Sequence, residues 1–210
     1  MFRALSRLLS PMLYVRNSFG TEAGMEFGMK LFASIGLAAM MLASSALPSL
    51  AQGAETMVIN TDKGEIDIKL RPDLAPKHVE QIKTLANQGF YNGVVFHRVI
   101  DGFMAQTGDP TGTGMGGSKL PDLKAEFSKE PFKRGTVGMA RAQNPNSANS
   151  QFFIMLGDGD FLNGQYTVVG NVTDGLDVLD KIKKAAPGAS GGAVQDPDKI
   201  VRMTLAGKAQ

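Results

Sequence analysis

The chain has 210 residues, 43% of them hydrophobic and 20% charged, with a formal net charge of +2; this is the size and balance of one soluble globular domain. It has no cysteine and two histidines, His78 and His97, which excludes a disulfide framework, a thiolate or multi-histidine metal site and a cysteine nucleophile. Residues 1–51 hold four of the 22 basic and two of the 20 acidic residues, so the remainder carries 18 of each and offers no basic stripe to a nucleic acid.

At the front, Met29-Lys30 precedes the uncharged run 31–47, and Pro48-Ser49-Leu50-Ala51 closes it with small residues at 49 and 51. A basic start, an apolar middle and a small-residue end form the layout of a secretory signal. The expectation is export to the periplasm with cleavage after Ala51, leaving no stable membrane anchor. A retained anchor is the alternative, but 17 residues rich in alanine and serine are short for a span. Residues 1–28 have no part in this layout, so Met25 and Met29 are alternative starts to Met1. Arg3, Arg7 and Arg16 leave a mitochondrial-type presequence as a further alternative. The division is therefore 1–51, extension and signal peptide, and 52–210, a single domain.

From Thr56 the pattern changes. Residues 57–59 and 65–70 alternate apolar and polar around Thr61-Asp62-Lys63-Gly64, which predicts an antiparallel hairpin. Pro72 to Gln88 predicts a helix, with Val79, Ile82, Leu85 and Ala86 on one face, Gly89 at its end and His78 exposed. Strands are predicted at 94–100 and 103–107, and residues 108–121 form a glycine-rich loop. Further strands are predicted at 136–141, 151–156 and 166–170. Thr173 to Ala186 predicts a second helix, striped by Leu176, Leu179 and Ile182, and a last strand covers 199–205. Twenty-five glycines suit many tight turns. About eight short strands and two helices predict a mainly β fold, a closed eight-stranded antiparallel barrel capped by helices.

The chemistry concentrates in three segments: 96–106, 150–154 and 161–166. They supply one cation, Arg98, the amides Gln106 and Gln151, and many apolar side chains. They supply no carboxylate pair, no serine–histidine–aspartate set and no metal cluster, so acid–base, covalent and hydrolytic mechanisms have few candidates. Gly112-Thr113-Gly114-Met115-Gly116-Gly117 fits a dinucleotide-binding spacing, but that motif must open a helix and Ser118-Lys119-Leu120-Pro121 does not read as one.

Phe96-His97-Arg98-Val99-Ile100-Asp101-Gly102-Phe103-Met104-Ala105-Gln106 resembles the cyclophilin signature. Gly138-Met139-Ala140-Arg141, Ser150-Gln151-Phe152-Phe153-Ile154 and Phe161-Leu162-Asn163-Gly164 resemble its later blocks, in order, and the likeness spans about 56–206. It implies a barrel that isomerises the bond before proline without cofactor or metal. Its partners would be proline-containing unfolded or exposed polypeptide segments, and the chain is expected to be a monomer. A proline-peptide binding chaperone without turnover is the alternative function. By position, Arg98 resembles the catalytic arginine and Gln106 the glutamine that aims it. Phe103, Met104, Phe153 and Leu162 resemble walls of a proline pocket; Ala140, Arg141 and Gln151 resemble the backbone groove. Phe161 and Tyr166 replace the tryptophan and histidine of the best-known eukaryotic members, as in the bacterial branch, which implies weak cyclosporin binding. Phe96, Phe152 and Ile154 are expected in the core, and His97, on the strand face opposite Arg98, in a structural role.

Arg98 and Gln106 must share a face for one to aim the other. A two-residue turn at Asp101-Gly102 would oppose Arg98 to Ala105 and turn Gln106 away. The expectation is one extra residue at or beside Gly102, which opposes Arg98 to Gln106.

Overall fold

The structure, a computed structural model, describes residues 55–206; the expected export segment 1–51 and its alternatives lie outside them. Eight strands run β1 Thr56–Thr61, β2 Gly64–Leu70, β3 Arg98–Ile100, β4 Met104–Thr107, β5 Thr136–Met139, β6 Phe152–Met155, β7 Val168–Asp174 and β8 Ile200–Leu205. Two helices, α1 Pro76–Asn87 and α2 Leu176–Lys181, interrupt them. All pairings are antiparallel, in the order β3-β4-β6-β5-β7-β2-β1-β8.

The sheet curls into an open half-barrel and not the closed barrel expected, because β3 and β8 are not laddered to each other. Residues 94–97, expected as the start of the β3 strand, instead span the gap irregularly. Gly93 N donates to Ile200 O at 2.7 Å, Ile200 N to Val94 O at 2.9 Å and Phe96 N to Asp198 O at 2.9 Å.

Period-two alternation sorts the side chains onto two faces. Ala105, Phe152 and Ile154 join Phe96, Ile66, Ile68 and Met203 in the main core, against which α1 packs Val79, Ile82 and Leu85. Their neighbours Met104, Phe153 and Met155 point the other way and form a second cluster with Phe132, Leu162 and Val168.

Both helices are shorter than their patterns predict: a local turn precedes α1, and tertiary partners take the donors beyond α2. Leu74 N and Ala75 N turn back onto Arg71 O, so α1 begins at Pro76, where a missing N–H costs nothing. Its next donors, Lys77 N and His78 N, reach the carboxylate of Glu126 at 3.2 and 3.1 Å. A negative group is favourable at that end of a helix. The same carboxylate takes His78 Nδ1 at 2.7 Å, so His78, expected exposed, is fully buried. At α2, Thr173 and Asp174 remain in β7. Beyond Lys181 the chain turns extended, and its donors go elsewhere: Lys183 N to Asp198 Oδ2 at 2.8 Å and Ala185 N to Val99 O at 2.9 Å.

Candidate active site

The β3–β4 connection sets the site. Arg98 opposes Gln106, Val99 opposes Ala105 and Ile100 opposes Met104, which leaves Asp101, Gly102 and Phe103 as a three-residue loop. Phe103 N donates to Ile100 O at 3.0 Å. Gly102 has φ of 68°, a backbone state glycine enters without a Cβ penalty. The extra residue expected from the pairing argument is present.

With that register the two side chains meet. Arg98 Nη1 donates to Gln106 Oε1 at 3.2 Å. Gln106 Nε2 donates to Gln151 Oε1 at 2.9 Å. Gln151 Nε2 in turn donates to Gly116 O at 2.8 Å and Gly114 O at 3.1 Å. Carbonyls only accept, so the loop sets the polarity of both amides and leaves a carbonyl oxygen facing the guanidinium. Burial lowers the pKa of Arg98, partly offset by Tyr166, yet a guanidinium remains charged in a protein.

Next to these amides lies a pocket of about 110 Å³ lined by Arg98, Phe103, Met104, Gln106, Ala140, Arg141, Phe153, Leu162 and Tyr166. Nine of the eleven candidates named from sequence thus converge. Gln151 lies in an adjoining groove of about 440 Å³, which shares Gln106, Ala140 and Arg141 with the pocket. Phe161 lines neither; its ring packs 5.5 Å from Phe103 and is 65% exposed. Arg141 Nη2 donates to Gln165 O at 3.0 Å, and its guanidinium lies 4.6 Å from the Tyr166 ring centre, a favourable cation–aromatic placement.

Four features escaped the sequence reading. Phe132 backs the pocket, stacked on Phe153 at 5.7 Å and edge-on to Tyr166 at 6.5 Å. Gly191 O accepts from Arg98 Nε at 2.6 Å. The carbonyls of Gly114 and Gly116 hold Gln151. Asp109 is fully buried and gathers the glycine-rich loop around its carboxylate. It accepts from the backbone N–H groups of Thr111, Thr113, Gly114 and Gly116 and from the Thr111 hydroxyl, at 2.6–3.1 Å. Burial opposes its charge, but the donors of Thr111, Gly116 and Gly114 outweigh it and bring its pKa down to about 2. The signal available was Asp109 with Thr111 two residues on, the pattern of an Asx turn. The donors that a dinucleotide phosphate would need are already committed to Asp109, so residues 112–117 are a structural loop. His97 is 7% exposed and outside both cavity linings. Burial lowers its pKa, against a raising influence of Asp109, which keeps it neutral at pH 7.

A family model described as cyclophilin type peptidyl-prolyl cis-trans isomerase/CLD matches residues 56–205. A probable peptidyl-prolyl cis-trans isomerase of Brucella suis biovar 1 (strain 1330) is 57% identical over 185 residues, covering 83% of this chain and 91% of that protein. Peptidyl-prolyl cis-trans isomerase B of Escherichia coli (strain K12) is 42% identical over 153 residues, covering 64% and 88%. A Cryptosporidium parvum cyclophilin, crystallised in the presence of the dipeptide Ala-Pro, superposes with a TM-score of 0.67 at 30% identity. That match covers 73% of this chain and 99% of the other.

Proposed function

The chain belongs to the cyclophilin-type peptidyl-prolyl cis-trans isomerase family, and from that premise we propose how its residues turn a prolyl bond. The activity is rotation about the peptide bond before proline. That bond resists rotation by roughly 18–20 kcal/mol through its partial double-bond character and takes tens to hundreds of seconds to turn unaided. Neither proton transfer nor a nucleophile is required. The nitrogen must lose conjugation and become pyramidal, which exposes its lone pair.

In this reading the proline ring enters the apolar pocket of Phe103, Met104, Phe153 and Leu162, and the flanking chain lies along Ala140, Arg141 and Gln151. Arg98 donates to the prolyl nitrogen as it pyramidalises. That contact is stronger in the twisted state than in the planar one, so it lowers the barrier and does not merely bind. Among the described residues, the Arg98 Nη2 donors have no protein acceptor, while Nε and Nη1 are held. The observation that carries this reading is the β3–β4 register, which puts Arg98 and Gln106 side by side on the pocket wall. The purified protein is expected to accelerate a proline-limited refolding reaction, equally with and without chelator. Peptide binding without acceleration would establish the binding-chaperone alternative instead.

We further propose that the protein is exported to the periplasm, acts there on proline-containing unfolded or exposed segments, and works as a monomer. The layout of residues 29–51 supports export. Among the described residues, no helix is long and apolar enough to cross a membrane. The mass of protein recovered from an exporting host is expected to correspond to a chain starting at Gln52. A mass that retains residues 29–51 would overturn the export reading.

A further inference from the structure

The guanidinium of Arg98 has two protein anchors, and only one is a side chain. Gln106 Oε1 accepts from Nη1; the other acceptor is the backbone carbonyl of Gly191, 2.6 Å from Nε and 93 residues away along the chain. That carbonyl belongs to a segment lying along the outer edge of β3. Ala185 N donates to Val99 O at 2.9 Å, and Val194 N donates to His97 O at 3.0 Å. Ala193 forms an antiparallel bridge with Arg98. Residues 185–194 therefore strap the free edge of the strand that carries the arginine. Between the strap's two ends, Ser190–Gly192 make a tight kinked turn in which Gly191 and Gly192 both take positive φ, 63° and 81°.

Gly192 makes this approach possible. Its φ is 81°, and a Cβ there would overlap Ile100 Cγ1 and lie 3.6 Å from Arg98 Cγ. A side chain at 192 would overlap Ile100 and be strained at this φ, so it is expected to push the strap off β3 and carry the Gly191 carbonyl away from Nε.

We propose that the strap 185–194 is a positioning element for the catalytic arginine, with the Gly191 carbonyl acting through Nε. A planar guanidinium held at Nη1 alone can still swing about that contact. A second hydrogen bond on Nε fixes its plane and turns the Nη2 donors toward the pocket. Gln106 and Gly191 thus divide the aiming of Arg98 between a side chain and a distant backbone group. The inference rests on the reading of Arg98 as the residue that acts on the prolyl nitrogen.

The test is Gly192→Ala in the full chain, read by kinetics and by 15N NMR of the Arg98 Nε–H, assigned by its loss in Arg98→Lys. Expected in the wild type is a resolved Nε–H that exchanges slowly with solvent. Expected in Gly192→Ala is a roughly tenfold lower kcat, KM within about twofold, and faster Nε–H exchange; tenfold corresponds to about 1.4 kcal/mol of transition-state stabilisation. Adding Ile100→Ala makes room for the new methyl and is expected to restore part of both readouts. A folded Gly192→Ala with wild-type kcat and unchanged exchange overturns the proposal. If Gly192→Ala does not fold, the wild-type signal decides: exchange as fast as in free arginine overturns it, and protection upholds it. An inactive wild type with a protected Nε–H would sink the isomerase reading and leave the strap's hold on Arg98 standing.

Discussion

Arg98→Ala is expected to lower the isomerisation rate by about two to three powers of ten, on the order of 3–4 kcal/mol of transition-state stabilisation. Nothing else lining the pocket can replace it. Arg141 is the other cation there, but its guanidinium is engaged by Gln165 O and the Tyr166 ring. Gln106 would keep its bond to Gln151, so the pocket should stay formed and peptide affinity should change little. The fold should survive as well. Arg98 is only part-buried, and losing its bonds to Gln106 and Gly191 should cost about 1–2 kcal/mol of stability. A proline-limited refolding assay, paired with a denaturant titration of the same variant, separates the two effects. Near-full activity in a folded Arg98→Ala would refute the mechanism.

Asp109→Ala is expected to cost about 3 kcal/mol of stability. Hydrogen bonds to a charged group contribute about 1.5–3 kcal/mol each, and a donor left buried without a partner is costly. Asp109 serves four backbone N–H groups and a hydroxyl. The loop can swing into water once the carboxylate is gone, so the loss falls well short of the sum of those bonds. The pH dependence has a definite sign. The folded pKa, about 2, lies below the ordinary 3.8, so the unfolded chain binds the proton more readily. The stabilisation is complete above about pH 4 and drains away as the pH falls toward 2. Urea titrations from pH 7 to pH 2 should show the wild type losing stability in that window, with a smaller loss in Asp109→Ala. The variant should also be cut faster by protease within 110–118. A variant within about 0.5 kcal/mol of the wild type would show that the loop does not depend on this carboxylate.

Several errors of the sequence reading share a cause. His78 sits on α1 one position before the apolar Val79, and the helical stripe alone left it outside the core. It is buried because Glu126, 48 residues on, supplies both the helix-end acceptor and the imidazole partner. The second helix loses its last turn because Asp198 and Val99 offer better acceptors to residues 183 and 185. The barrel stays open because β3 has only three laddered residues and its outer edge is taken by an irregular strap. In each case the deciding partner is far along the chain, where periodicity cannot see it.

The β3–β4 turn went the other way. A simple turn rule favoured two residues, but the need for Arg98 and Gln106 to share a face required three, and three are present. Functional geometry was there a stricter constraint on backbone register than local turn preference, since a slip of one residue turns every following side chain to the opposite face.

The sequence by itself determined the eight strands and the two apolar faces, because period-two alternation is written in residue types, and its resemblance to the cyclophilin blocks at 96–106, 138–141, 150–154 and 161–164, with Tyr166 just beyond the last, named the nine side chains that line the pocket. Only the tertiary structure decided how the arginine is held. Its network ends on Gly191 O, Gly114 O and Gly116 O and on a loop gathered by Asp109. A backbone carbonyl is chemically the same at nearly every residue, so a site completed by backbone groups leaves no mark in the sequence until the fold brings them within hydrogen-bond distance of the side chains they orient.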